Sequence, residues 1–369
     1  MEKIKNYLII ILFVLLLGGG LLLNIILPHP DILASERRKP ASMPNFSADS
    51  VFSSQFMDGF GKYATDNFIF RDSFRSMHAF SVFYLFRQTD NAGLYRDRNV
   101  GAGRFEKINE PSLRRVTQKI NLLAQKFQGA NIYFSFVPDK SVYASRYFPG
   151  FLPETARLIV NEDLLGINVV DLSNAVDADT FYRTDLHWDQ SKLSGVLLTL
   201  GAAMNINVAG GANFFVNSAG SFNGVYSGQL SLPMPPDTLL YMTNEHIDSA
   251  SVFYFDPAKD GWVGGPVYDI DAAKGRDPYD LFLCGVQALI KIYNPSADTN
   301  RSLYLIRDSF GSSLAPLLIQ YYSEITVIDM RYIDSRILND YIEIEIENAD
   351  VLFLYSSQIL NKADDLLIH

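Results

Sequence analysis

Residues 302–311, SLYLIRDSFG, decide the fold. Ser302 to Ile306 is a short apolar run that reads as a buried strand. Arg307-Asp308-Ser309 is a turn, and Gly311 to Tyr322 continues as a helix. Four more runs share the strand character: Asn131–Val137 (NIYFSFV, ending in Pro138-Asp139-Lys140), Ile167–Leu172, Glu324–Met330 and Asp350–Tyr355. Between them, Pro111–Gln128 places Leu113, Val116, Ile120, Leu123 and Phe127 on one helical face, with Pro111 in the first turn. Asp189–Met204 reads as a second helix with Asp189 as N-cap. Ser335–Ala349 fits two periods, since IEIEIE alternates while Ile337, Leu338, Tyr341, Ile342 and Glu345 keep a helical face. The crossover between parallel strands favours the helix. Strands alternating with helices predict an α/β domain of three layers (α/β/α) around a mostly parallel sheet. Ligands of such sheets sit at the carboxyl ends of the strands. Asn207–Asn300, rich in Gly, Pro, Tyr and Asp, breaks the alternation and reads as an irregular insertion beside that edge.

Upstream, Tyr7–Leu27 is almost uninterruptedly apolar and carries no charge. Roughly 20 helical residues cross the hydrocarbon core of a bilayer. Lys3 and Lys5 precede the run, so residues 1–6 are expected in the cytoplasm and everything after Leu27 outside it, in a single-pass arrangement. The run is longer than the ~7–15 apolar residues of a cleaved signal, which favours an uncleaved signal anchor. Residues 28–54, rich in Pro, Ser and charge, read as an extracytoplasmic stalk, and 55–369 as the domain. From Val51 to Phe86, Phe52, Phe56 and Phe60, then Phe74, Met77, Phe80 and Tyr84, recur at helical spacing around a break at Asp66–Arg71. The 369 residues carry 41 acidic and 31 basic side chains, a net charge of −10, which argues against nucleic acid as a partner. The single cysteine, Cys284, leaves no disulfide framework and no multi-cysteine zinc site.

Two segments fall where catalytic groups belong. Phe181-Tyr182-Arg183-Thr184-Asp185-Leu186-His187-Trp188 precedes the Asp189 helix, and Asp308-Ser309-Phe310-Gly311 forms the strand-to-helix turn. Asp185 and His187, two residues apart in an extended segment, point the same way, so the carboxylate can orient the imidazole. Ser309 then becomes the nucleophile and His187 the base, with helix-opening amides as oxyanion donors. Each motif alone also has a plainer use: Asp-x-His recurs by chance, and Asp-Ser-Phe-Gly serves as an N-cap. His29, His78, His246 and His369 offer no second constellation. Neither HExxH nor a phosphate-binding glycine loop is present, so no metal and no cofactor is expected. Lys140 and Arg331 each follow a strand and can bring a cation to the site edge, for an anionic polymer or developing charge; a surface ion pair is the alternative. Tyr182 and Trp188 offer faces for stacking on sugar, and Asn223 or Gly224 offers a further oxyanion donor.

The order of these pieces resembles the bacterial DHHW family and, more widely, the alginate O-acetylation proteins with an SGNH-hydrolase-like domain. The resemblance covers most of the chain after the anchor. It runs from Glu36-Arg37-Arg38 and Pro44-Asn45-Phe46 through Asp66-Asn67-Phe68 with Arg71 and Val137-Pro138-Asp139-Lys140 to the Phe181–Trp188 signature. Phe222–Ser227, Asp308–Gly311 and Asp329–Tyr332 complete it. Leu186 stands where the family name has its first histidine, while the Asp-x-His pair is kept. The resemblance implies an acyl-serine mechanism through Asp185, His187 and Ser309. It also implies acetyl transfer from a multi-spanning membrane O-acyltransferase to a cell-surface polysaccharide. A carbohydrate esterase with the same triad and a non-catalytic polysaccharide-binding or assembly protein are the competing readings. The last requires Ser309 and His187 to lie beyond hydrogen-bond reach.

Overall fold

The computed structural model describes residues 2–145, 160, 163–208 and 213–369. Its contacts divide into two units: Met1–Asn91 with Ser227–Pro233, and Ala92–Tyr226 with Met234–His369.

Among the described residues, the second unit is built on one eight-stranded sheet: β1 (Asn131–Val137), β2 (Asn168–Asp171), β3 (Ser251–Asp256), β4 (Gly261–Gly265), β5 (Leu289–Tyr293), β6 (Ser302–Arg307), β7 (Glu324–Ile328) and β8 (Ala349–Ser356). They lie in the order β2-β1-β8-β6-β7-β5-β3-β4. The first five in that order are mutually parallel, with Leu305 opposite Leu352 and Val327 in register. The last three are antiparallel. The side-chain period of two divides the core into halves. Leu303, Leu305, Leu352 and Leu354 share one cluster with Val196, Leu197 and Leu314. Tyr304, Ile306, Val351 and Phe353 face the other, with Leu113, Val116 and Ile120. Helices therefore cover both faces, and the architecture is the three-layer, mostly parallel α/β fold. The parallel strands end together, so Pro138–Lys140, Asp308–Ser309 and Asp329–Arg331 share one sheet edge.

Two segments depart from expectation. Asn207–Asn300 is no mere appendage, because it supplies β3, β4 and β5 to the sheet, with Ile290 and Ile292 buried. Ser335–Ala349 is helical only over Leu338–Tyr341. Alternating isoleucine and glutamate suits a helix poorly, and burying Leu338 and Ile342 suffices to cover the sheet there.

In the first unit, α1 (Glu2–Ile26) is followed by α2 (Gln55–Asp66) and α3 (Arg71–Phe80), the last extended by a π-helical turn, Ser81–Leu85. Ile4–Ile26 is long and apolar enough to cross a membrane. The segment read as a stalk is pinned rather than loose. Arg38 reaches both oxygens of buried Asp66, at 2.6 and 2.7 Å, and Ala41 N donates to the same carboxylate. Leu33 is buried, and Ala48–Phe52 forms a short helix.

Candidate active site

Ser309 sits between β6 and α4 (Phe310–Leu318) in ordinary helical backbone. Its neighbour Asp308 does the capping: one carboxylate oxygen accepts from Phe310 N at 3.0 Å and the other from Ser356 N at 2.8 Å. The turn is thereby fastened to β8 and the Ser309 hydroxyl is left for other work. Gly311 lets the helix approach the Arg307 side chain, which a Cβ would strike.

The Asp-x-His segment is the tip of a narrow loop. Phe181 and Trp188 bridge across it, and Tyr182 N donates to His187 O at 3.0 Å. At the tip, His187 Nδ1 is 2.7 Å from Asp185 Oδ1, and His187 Nε2 is 2.8 Å from Ser309 Oγ. With Nδ1–H donating to the carboxylate, Nε2 is the acceptor for the serine proton. The second Asp185 oxygen accepts from Val225 N at 2.9 Å, and both Asp185 and His187 are buried. Residues 122 positions apart in sequence thus form one hydrogen-bonded chain.

The helix-opening amides are mostly engaged. Phe310 N goes to Asp308, Gly311 N to Asp308 O and Ser312 N to Ser309 O. Among the described residues, the Ser309 N–H alone of these four has no hydrogen-bond partner, which narrows the oxyanion donors to one from this turn.

Several other expected site residues have different work. Lys140 presents no cation to a ligand. It is buried, and its Nζ donates to Tyr182 O at 2.7 Å and Asp185 O at 2.9 Å, holding both ends of the loop's turn. Burial pushes this ammonium down to about 8, against the pull of Asp185, Asp139 and Asp237. Tyr182 and Trp188 are buried too, so neither offers a stacking face. Tyr182 packs edge-on against Phe222, and Trp188 Nε1 donates to Ser313 Oγ at 2.8 Å. Gly224 N is spent on Thr184 Oγ1 at 2.7 Å, while Asn223 beside it is exposed. Arg331 grips Asp329 through Nε and Nη2, at 2.8 and 2.6 Å. Burial opposes its charge, and the Asp329 carboxylate more than restores it. Buried Arg307 shares that same carboxylate.

Tyr279 was not legible in the sequence. Its ring lies 3.7 Å from the His187 ring at an interplanar angle of 7°. Its hydroxyl donates to Ser313 Oγ at 2.8 Å. Ser313 Oγ thus accepts from both Trp188 and Tyr279 and donates to Phe310 O at 3.3 Å, which uses its one proton and two lone pairs. Among the described residues, no cluster of three or more His, Cys, Asp or Glu side chains is suited to a metal ion.

A strand-to-helix serine, a loop-borne histidine and a buried aspartate thus meet in one hydrogen-bonded chain on the edge of a mostly parallel α/β sheet. The fold is shared with a DHHW family protein from Eubacterium siraeum, at 17% identity and a TM-score of 0.59, over 75% of this chain and 94% of that one. It is shared as well with Bacillus cereus PatB1, solved with a sulfonyl adduct, at 18% identity and a TM-score of 0.56, over 72% and 94%. The O-acetyltransferase domain of Pseudomonas putida AlgJ aligns over 74% and 93% at 13% identity, with a TM-score of 0.43. No family model matches the sequence, and no curated protein matches it in sequence.

Proposed function

We propose that this protein is a membrane-anchored, extracytoplasmic serine acyltransferase that O-acetylates a cell-surface polysaccharide. The observation that carries the reading is the continuous Asp185–His187–Ser309 hydrogen-bonded chain. Ser309 Oγ attacks the donor's acyl carbonyl while His187 Nε2 takes the hydroxyl proton, and Asp185 holds the resulting imidazolium. The Ser309 N–H faces the developing oxyanion. Collapse breaks the bond to the donor's leaving group, which departs with the proton from His187. A sugar hydroxyl then gives its proton to His187 and attacks the acyl-serine, and Ser309 recovers its proton as the sugar ester forms. The resemblance in the sequence supplies the acetyl group, the polysaccharide acceptor and a multi-spanning membrane acyltransferase as donor. The sulfonyl adduct of PatB1 is consistent with an electrophile-trapping site on this fold.

The test treats the protein with an activated acetyl ester, with and without polysaccharide, and follows Ser309 by mass spectrometry. An acetyl adduct on Ser309, absent in Ser309→Ala and discharged faster by sugar than by water, is the expected outcome. Discharge by water alone would make the protein an esterase. Absence of any adduct would remove both enzymatic readings.

A further inference from the structure

Helix α3 is inside out. Phe70, Phe74, Met77, Phe80 and Tyr84 recur at intervals of four, three, three and four residues and are 63, 54, 66, 58 and 51% exposed. The opposite side turns Arg71, Arg75, Ala79 and Val82 inward. Arg71 pairs with Glu36 and stands 3.6 Å from Asp66. Arg75 reaches Glu36 at 3.3 Å and Gln229 O at 2.8 Å. Water is the wrong solvent for this arrangement, since both arginines are largely covered while five large apolar and aromatic side chains are exposed.

The location of the stripe identifies its solvent. Asn24, in the last turn of α1, accepts a hydrogen bond from Ile69 N at 2.8 Å. Leu27 and Pro28 line one cleft together with Phe68 and Phe70. The start of α3 is therefore fastened to the outer end of the apolar run, where a spanning helix leaves the hydrocarbon. We infer that α3 lies in the plane of the outer leaflet, with Phe70, Phe74, Met77, Phe80 and Tyr84 seated at the headgroup–acyl boundary of the bilayer that α1 crosses. The anchor then does more than tether: together with α3 it makes a two-point mount. The inference rests on reading α1 as an uncleaved span.

Full-length protein in phosphatidylcholine–phosphatidylglycerol liposomes, with and without acyl chains brominated near the headgroup, provides the test. Tryptophan is introduced singly as Phe74→Trp, Tyr84→Trp, Phe13→Trp within α1, and Phe253→Trp on the sheet, and the wild-type signal of Trp188 and Trp262 is subtracted. For a helix seated about 5–10 Å into the interface, brominated lipid should quench the introduced emission at both 74 and 84 by about half. Position 253 should be unaffected. Quenching at 13 but not at 74 and 84, with those two quenched by aqueous iodide instead, would overturn the in-plane mount and leave the anchor standing. Quenching at 74 alone would overturn the in-plane orientation. Shielding at 74 and 84 that grows with protein-to-lipid ratio would make the occupant a second copy and also overturn it. No quenching at 13 would remove the anchor and this inference together.

Discussion

The imidazole of His187 works in one orientation, and three contacts set it: Asp185 at Nδ1, Ser309 at Nε2 and the Tyr279 ring against its face. Out of water, an aromatic face stabilises a neighbouring cation by about 1–2 kcal/mol, so in the proposed mechanism buried Tyr279 favours the imidazolium formed when Ser309 is deprotonated. Tyr279→Leu should lower kcat about 5- to 30-fold with little change in KM, while Tyr279→Phe, which keeps the face, should stay within about threefold of wild type. Steady-state kinetics on a soluble acetyl ester decide between them. Lys140 acts one step back, through the loop. Lys140→Met orphans two buried carbonyls and should cost about 2–5 kcal/mol of stability. It should also change the pH dependence. The folded ammonium titrates near 8, whereas an unfolded lysine holds its proton to about 10.4. Below about pH 8 both states are protonated and the cost of burying the charge is fully present. Between about 8 and 10 the native state holds fewer protons, so wild-type stability relative to Lys140→Met should rise with pH, as read from urea midpoints. Asp185, His187 and Ser309 were legible because a turn and an extended segment fix where short side chains point. Tyr279 was not, being one of 20 tyrosines and lying in a stretch without period.

At the scale of elements, the loop from Thr180 to Asp189 carries two of the three candidate residues and has little regular structure of its own. Its shape comes from what surrounds it: Lys140 after β1, Asp237 accepting from the Arg183 and Thr184 amides, and the backbone of residues 224 and 225. Gly224 is the tightest of these contacts, since a Cβ there would strike Thr184 O together with the Asp185 N and Cβ. Gly224→Ala should push Asp185 out of line and lower kcat by about 100-fold. Its urea midpoint should fall less than that of Lys140→Met, because no hydrogen bond is deleted outright. The parallel strands were readable from the sequence because strands buried on both faces are continuous apolar runs. Strands β3 to β5 escaped notice because their turns, Gly-rich and Tyr-rich, mask short stretches of alternation. The short crossover before β8 escaped because period alone cannot separate a strand from a strap that buries two side chains.

At the scale of the molecule, all three candidate residues belong to the second unit. Removal of residues 2–27 should therefore leave acetyl-adduct formation at Ser309 within about threefold of full length, while activity toward acceptor held at a membrane should fall further, since local concentration is lost. Adduct rates on soluble and vesicle-bound acceptor separate the two effects. The order of the sheet also sets when, during synthesis, the fold can form. β8, the last of the eight strands in chain order, lies between β1 and β6, and its partner Asn131 is 219 residues from Asp350. Nothing upstream can close the parallel half until that strand arrives. Such long-range pairing makes for slow assembly, and a chain cut short before Ala349 lacks its keystone rather than its rim. During synthesis the Asp308–Ser309 turn, whose aspartate is bonded to Ser356, stays unassembled until β8 has been made.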